Sequence, residues 1–149
     1  MKKILSQFKD TLDDIQKLKD VKESQLKEPI SKGKWSIREI VGHLYYWDKY
    51  NLEKMVPIMA NGANLPQFPN HDEHNKEAIA YMEDYSVESI IDAFIETRNE
   101  LIESIFKVGE DVRFTIGKDK RQFSGESFIK IFIKHDIHHL QQINGKLNN

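Results

Sequence analysis

The sequence contains no cysteine. Disulfides, thiolate metal ligands and a cysteine nucleophile are thereby excluded, and any thiol chemistry has to arrive with a substrate. There is no apolar run near the roughly 18 residues that cross a bilayer, and Met1-Lys-Lys leads into an amphipathic pattern rather than a signal core. No membrane association and a cytoplasmic location are therefore expected. An excess of positive charge is also missing: 22 basic and 24 acidic side chains leave a formal charge of −2. Spread along the chain, these charges make no basic field of the kind that holds nucleic acid. Without a Gly-rich phosphate loop, a Walker sequence or a Gly-x-Ser-x-Gly elbow, nucleotide-driven and serine-hydrolase chemistry have no support. At 149 residues the chain fits one domain, residues 1–149, long enough to bury its own core.

What is present is helical periodicity. From Lys2 to about Lys27, Leu5, Phe8, Leu12, Ile15, Leu18 and Val21 recur at steps of three and four, the mark of a one-sided amphipathic helix. Pro29 and Gly33 interrupt it. Ser36 and Glu39 stand in capping-box spacing at the start of a second helix, expected from Ile37 to about Met55. Its inward face carries Ile40, His43, Leu44, Trp47 and Asn51. Residues 61–75 hold two prolines, a glycine and four asparagines and read as an ordered surface loop, followed by a weak helical turn over Lys76 to Met82. With Ser86 as cap, the run from Val87 to Phe106 is the cleanest helical period in the chain. Gly109 to Gly125 breaks that period and is expected to form a small hairpin or strap. A last helix then runs from Ser124 or Gly125 to about Lys146. Four one-striped helices bury their apolar faces best against one another, so the expected class is all-α, a four-helix bundle with irregular loops after its second and third helices.

The last helix carries the chemistry. Phe128, Phe132, His135, His139 and Gln142 fall on one stripe, which turns from apolar to polar halfway along. Imidazoles at i and i+4 have β-carbons roughly 6 Å apart and can converge on one ion. A third imidazole, His43 on the buried face of another helix, completes a three-ligand set with an open position, the arrangement used where a metal activates water. His138, about 100° round from His139, reads as a helix-edge donor or a residue behind the ligands rather than a ligand. His71 and His74 read as solvated loop residues. Gln142 is placed to hydrogen-bond a ligand or to serve as a buried structural amide, and Glu39 to cap its helix. Tyr45, Tyr46, Trp47 and Tyr50 around His43 are core packing first and pocket lining second.

Two motifs, Trp35-Ser-Ile-Arg-Glu-Ile-Val-Gly-His43-Leu and His135-Asp-Ile-His-His139-Leu-Gln-Gln-Ile143, give the chain a resemblance to the DinB-like superfamily of four-helix metalloproteins. That group includes bacillithiol transferases and proteins labelled metal-dependent hydrolases. With the helix order, the resemblance spans nearly the whole chain. It implies an up-down-down-up bundle of DinB-like type, often homodimeric. It also implies a divalent ion, zinc or nickel, on His43, His135 and His139, and a small-molecule substrate, in some relatives a low-molecular-weight thiol. The sequence reading is thus a divalent-metal-dependent enzyme, a hydrolase or a transferase using a small thiol. The alternative is a non-catalytic, metal-stabilised binding or stress-response module.

Overall fold

The computed structural model describes residues 1–148. Helix α1 (Lys2–Gln16) passes through a 3-10 turn, Lys17–Asp20, into the short α2 (Glu23–Lys27). The single helix expected over this stretch is therefore interrupted: Val21 is extended, with φ −93° and ψ 143°. Leu18 and Leu26 are buried nonetheless, because the chain folds over the end of the bundle while keeping its apolar side inward. Steps of three and four do not separate one straight helix from a helix, a tight turn and a second helix.

Helix α3 (Ile37–Tyr50) opens on the expected capping box. The Glu39 N–H donates to Ser36 Oγ at 3.2 Å and the Ser36 N–H donates to the Glu39 carboxylate at 3.1 Å. The helix reaches Met55 by widening into a π turn, Asn51–Met55, before a 3-10 turn at Val56–Ile58. After strand β1 (Asn64–Leu65) comes α4 (His71–Tyr81), where a surface loop was expected as far as residue 75. The start of α4 is a side-chain cap: Asn70 Oδ1 accepts from the Glu73 N–H at 3.1 Å, and Asp72 and Glu73 place negative charge in the first turn. Composition made this stretch look like loop, because asparagine is common both in loops and at helix starts.

Helix α5 (Val87–Val108) is capped by Ser86 and closed by Gly109 at φ 96°. Strands β2 (Phe114–Ile116) and β3 (Asp119–Phe123) form the expected hairpin, turning through Gly117 at φ 59°, a left-handed conformation that suits glycine. Strand β1 adds to β2 in parallel, giving the order β1-β2-β3. Helix α6 (Gly125–Leu147) starts at Ser124, whose hydroxyl accepts from the Ser127 N–H at 3.1 Å.

The core has two apolar halves. Leu12, Ile15, Ile40, Leu44, Phe94 and Ile143 belong to one; Leu5, Phe8, Trp47, Leu101, Phe128 and Phe132 belong to the other. Residue numbers rise from the second half to the first in α1 and α6, and from the first to the second in α3 and α5. The four long helices thus run up, down, down and up, and a chain connecting the parallel α3 and α5 must cross over, which is the path that includes α4.

Between the halves lies a polar layer. Arg98 of α5 is 1% exposed. Its guanidinium donates to both carboxylate oxygens of Asp48 on α3 (2.6 and 3.1 Å), to both of Asp136 on α6 (2.7 and 3.1 Å), and to the Phe8 carbonyl of α1 (3.0 Å). Thr11 of α1 adds a hydroxyl donor to Asp136 at 3.0 Å. Burial pushes Asp48 up to about 6 against the pull of Arg98. Burial also opposes the charge on Arg98, but Asp48 and Asp136 outweigh it and hold the guanidinium above its ordinary range. Removing the cation would leave two carboxylates buried and unmatched. Arg98→Met is therefore expected to lower unfolding stability by about 3–5 kcal/mol, and Arg98→Lys to recover only part of it because lysine lacks the forked donors. Urea denaturation of the two variants checks this, and a loss below about 1 kcal/mol for Arg98→Met would contradict it.

Candidate metal centre

His43 comes from α3, and His135 and His139 come from α6, one turn apart on the stripe below Phe132. One ring nitrogen from each lies within 4.8 Å of the other two. The Nε2 atoms of His43 and His135 are 2.8 Å apart. Ring centroids are separated by 4.7 Å for His43 and His135, 4.8 Å for His43 and His139, and 4.6 Å for His135 and His139. His43 and His139 are buried and His135 is half-buried. The convergence follows from the polar layer: Asp48 lies five residues after His43, and Asp136 is next to His135. The guanidinium that ties these two aspartates sets α3 and α6 at the height where the imidazoles meet.

The rings are held neutral. Burial, reinforced by the neighbouring imidazoles His135 and His139, lowers His43 to about 3. Burial, then His139 and His138, lowers His135 to about 3. Burial also lowers His139, opposed by its bond to Gln142. Gln142 Oε1 accepts from His139 Nδ1 at 2.7 Å, which leaves the Nε2 lone pair of that ring free. Gln142 thus does what its place on the stripe allowed. Three neutral imidazoles with converging nitrogens and no carboxylate among them form a donor set that fits a divalent ion.

The site opens to a cavity of about 490 Å³. Its aromatic walls are Trp35, Trp47, Phe68 and Phe132, with the three histidines on one side. His138, exposed at the mouth, has its ring centroid 5.0 Å from that of His139. His71 also lines the cavity, with Asn75, so it is more than the solvated loop residue expected. His74 departs further from that expectation: it is 3% exposed, with its ring 4.1 Å from that of Trp47. Both sit on α4, and a helix laid over α3 buries what a loop would leave in water. Of the aromatic residues around His43, Trp47 lines the cavity while Tyr45 is core.

The neutral buried rings make stability pH-dependent. In the unfolded chain His43 and His135 take up protons near 6.5, whereas in the fold they resist until about 3. Their contribution is complete above the unfolded value and is lost as pH falls through that window. Asp48, raised from 3.8 to about 6, acts in the opposite sense over most of it, but one carboxylate stands against two rings. Chelator-treated protein should therefore melt at progressively lower temperature from about pH 7 to pH 4, and His135→Gln should flatten the profile. A melting temperature constant across that range would show that the rings are not held neutral by burial.

The sequence profile of the DinB superfamily matches residues 7–143. No curated protein matches at a significant level. Among solved structures, the chain is similar to YfiT from Bacillus subtilis, described as a probable metal-dependent hydrolase with an unusual four-helix bundle topology. The two share 17% sequence identity at a TM-score of 0.66, over 97% of this chain and 84% of that one. At that identity the likeness speaks for the fold, and the family rests on the profile, which spans nearly the whole sequence: this chain belongs to the DinB superfamily.

Proposed function

We propose that this protein is a divalent-metal-dependent enzyme, a hydrolase or a transferase that uses a small thiol, with His43, His135 and His139 as the metal ligands. The observation that carries the reading is the meeting of three neutral imidazoles, their nitrogens within 4.8 Å of one another, on the wall of a cavity. A closed structural site would have no such opening. YfiT, similar in fold, is described as a probable metal-dependent hydrolase, which agrees with this reading. Imidazole donors suit zinc and nickel alike.

A divalent ion held there would supply Lewis acidity and favour the deprotonated form of a water or thiol nucleophile near neutral pH. The chain's own residues do the rest. Gln142 fixes the tautomer and orientation of His139 through the bond to Nδ1. Trp35, Trp47, Phe68 and Phe132 exclude water around the substrate and seat its apolar part. His138, exposed beside His139, is the side chain placed to pass protons between the site and solvent.

Purified protein should hold about one divalent ion per chain, measured by elemental analysis. His139→Ala should abolish retention, and Gln142→Ala should weaken affinity about 10–100-fold. His138→Ala should leave stoichiometry unchanged while slowing turnover of activated esters or of thiol conjugation. An unchanged metal content in His139→Ala would overturn the ligand assignment. Strong stabilisation by the ion with no turnover across ester, amide and thiol-conjugation substrates would favour a non-catalytic binding module.

A further inference from the structure

The cavity over the histidines does not end at Phe132. Ile131 and Lys134 are shared with a second cavity of about 310 Å³, whose lining also includes Arg121, Gln122, Ser127 and Lys130. Ser127, Lys130, Lys134 and His138 follow one another on α6 at steps of three and four. They form a stripe one residue round from Phe128, Phe132, His135 and His139, so the two cavities adjoin along the helix at Ile131 and Lys134, a trough in two parts. Among the described residues no carboxylate lines either cavity, although acidic residues outnumber basic ones in the chain as a whole. Arg121 has Asp119 at 3.6 Å, while Lys130 and Lys134 form no ion pair among the described residues.

We propose that the substrate is an amphiphilic anion, with an apolar or aromatic body against Trp47, Phe68 and Phe132 and a carboxylate or phosphate held by Lys134 and Lys130. The proposal rests on the metalloenzyme reading for the reactive end alone. Lys134 and Lys130 lie one and five residues before His135, so at 1.5 Å per residue the anionic group sits about 1.5–7.5 Å along the helix from the nearer α6 imidazole. An apolar wall contributes burial without direction, whereas a cation at a set distance from the metal side orients the molecule. A neutral molecule of the same shape would leave Lys134 without a partner, and an acidic group in the trough, had there been one, would have repelled the anion.

Trp35 and Trp47 are the only tryptophans in the chain and both line the cavity, so intrinsic fluorescence reports this site. The test titrates the purified, metal-containing protein with 4-phenylbutyrate, 3-phenylpropyl phosphate and the neutral 4-phenylbutyramide. At least one anion should bind about tenfold more tightly than the amide, a difference that Lys134→Gln erases and that added salt narrows. The tighter anion identifies the headgroup. Lys107→Gln, which makes the same charge change on α5 away from the trough, should keep the difference. Metal content is measured in every variant. Equal binding of amide and anions, no binding of any probe, or an anion preference that survives Lys134→Gln would overturn the proposal; the last result would place the anion directly on the ion. Protein that holds no ion yet keeps a Lys134-dependent preference would sink the metal reading while leaving this one intact.

Discussion

The contact on which the rest of the structure depends is the Arg98 guanidinium, fully buried between Asp48 and Asp136 and bonded also to the Phe8 carbonyl. It reaches all four long helices at one height. Apolar stripes are forgiving: one leucine can replace another if a helix slips by a turn, about 5.4 Å. A forked cation between two carboxylates is not, because the same slip would leave buried charges unpaired. An apolar layer of equal volume could match this one in stability, so its physical consequence here is register. His135 and Asp136 are consecutive on α6 and point about 100° apart, one toward the cavity and the other into the core. The residue that locks the helix thus also aims the imidazole.

The site inherits its electrostatics from that arrangement. The buried carboxylates are occupied with Arg98 on the core side, leaving the cavity side with imidazoles, aromatic rings, an amide and Lys134. Burial keeps His43 and His135 neutral far below the pH at which free histidine protonates. Neutral rings are the form that can donate lone pairs, so the low-dielectric surroundings that make the rings costly to protonate also keep them in the form that a divalent ion would need. The bond from His139 Nδ1 to Gln142 settles the tautomer for that ring, three residues along the same helix and with no further element required.

Much of this was legible in the chain because helical spacing maps directly onto faces. The long helices, the serine caps at Ser36 and Ser86, the hairpin, and the shared stripe of His135, His139 and Gln142 all follow from steps of three and four and from turn residues. What escaped did so for identifiable reasons. Asn70 fits loop composition as well as the cap it forms on α4, and the burial of His74 and the place of His71 and Asn75 in the cavity depend on that helix. Arg98 did leave a signal, standing between Phe94 and Leu101 on the apolar stripe of α5. A charged residue in such a position needs a partner of opposite sign, but only the packed structure says that Asp48 and Asp136 are the partners. The break of the first helix after Gln16 left no mark, since Leu18 and Leu26 keep the period through it.

The charge balance of the site bears on which molecules it would receive. The polar layer sets one guanidinium against two carboxylates, all of them buried and bonded to one another. None of that negative charge lines the cavity. A divalent ion on three neutral imidazoles would keep its full charge on the cavity side, in contrast to sites where a thiolate or carboxylate ligand offsets part of it. Apolar walls lower the effective dielectric around such a field and so weaken its screening. Lys134 and Lys130 extend the same sign along α6. A cationic molecule would meet this field with no carboxylate to match it, and a neutral one would gain only from the aromatic surfaces. Anionic groups are favoured at both ends of the trough. On the proposed metalloenzyme reading, the anion at the inner end would be the deprotonated nucleophile and the one at the outer end a charged part of the substrate, and the polarity set by where Arg98 holds its aspartates would favour both.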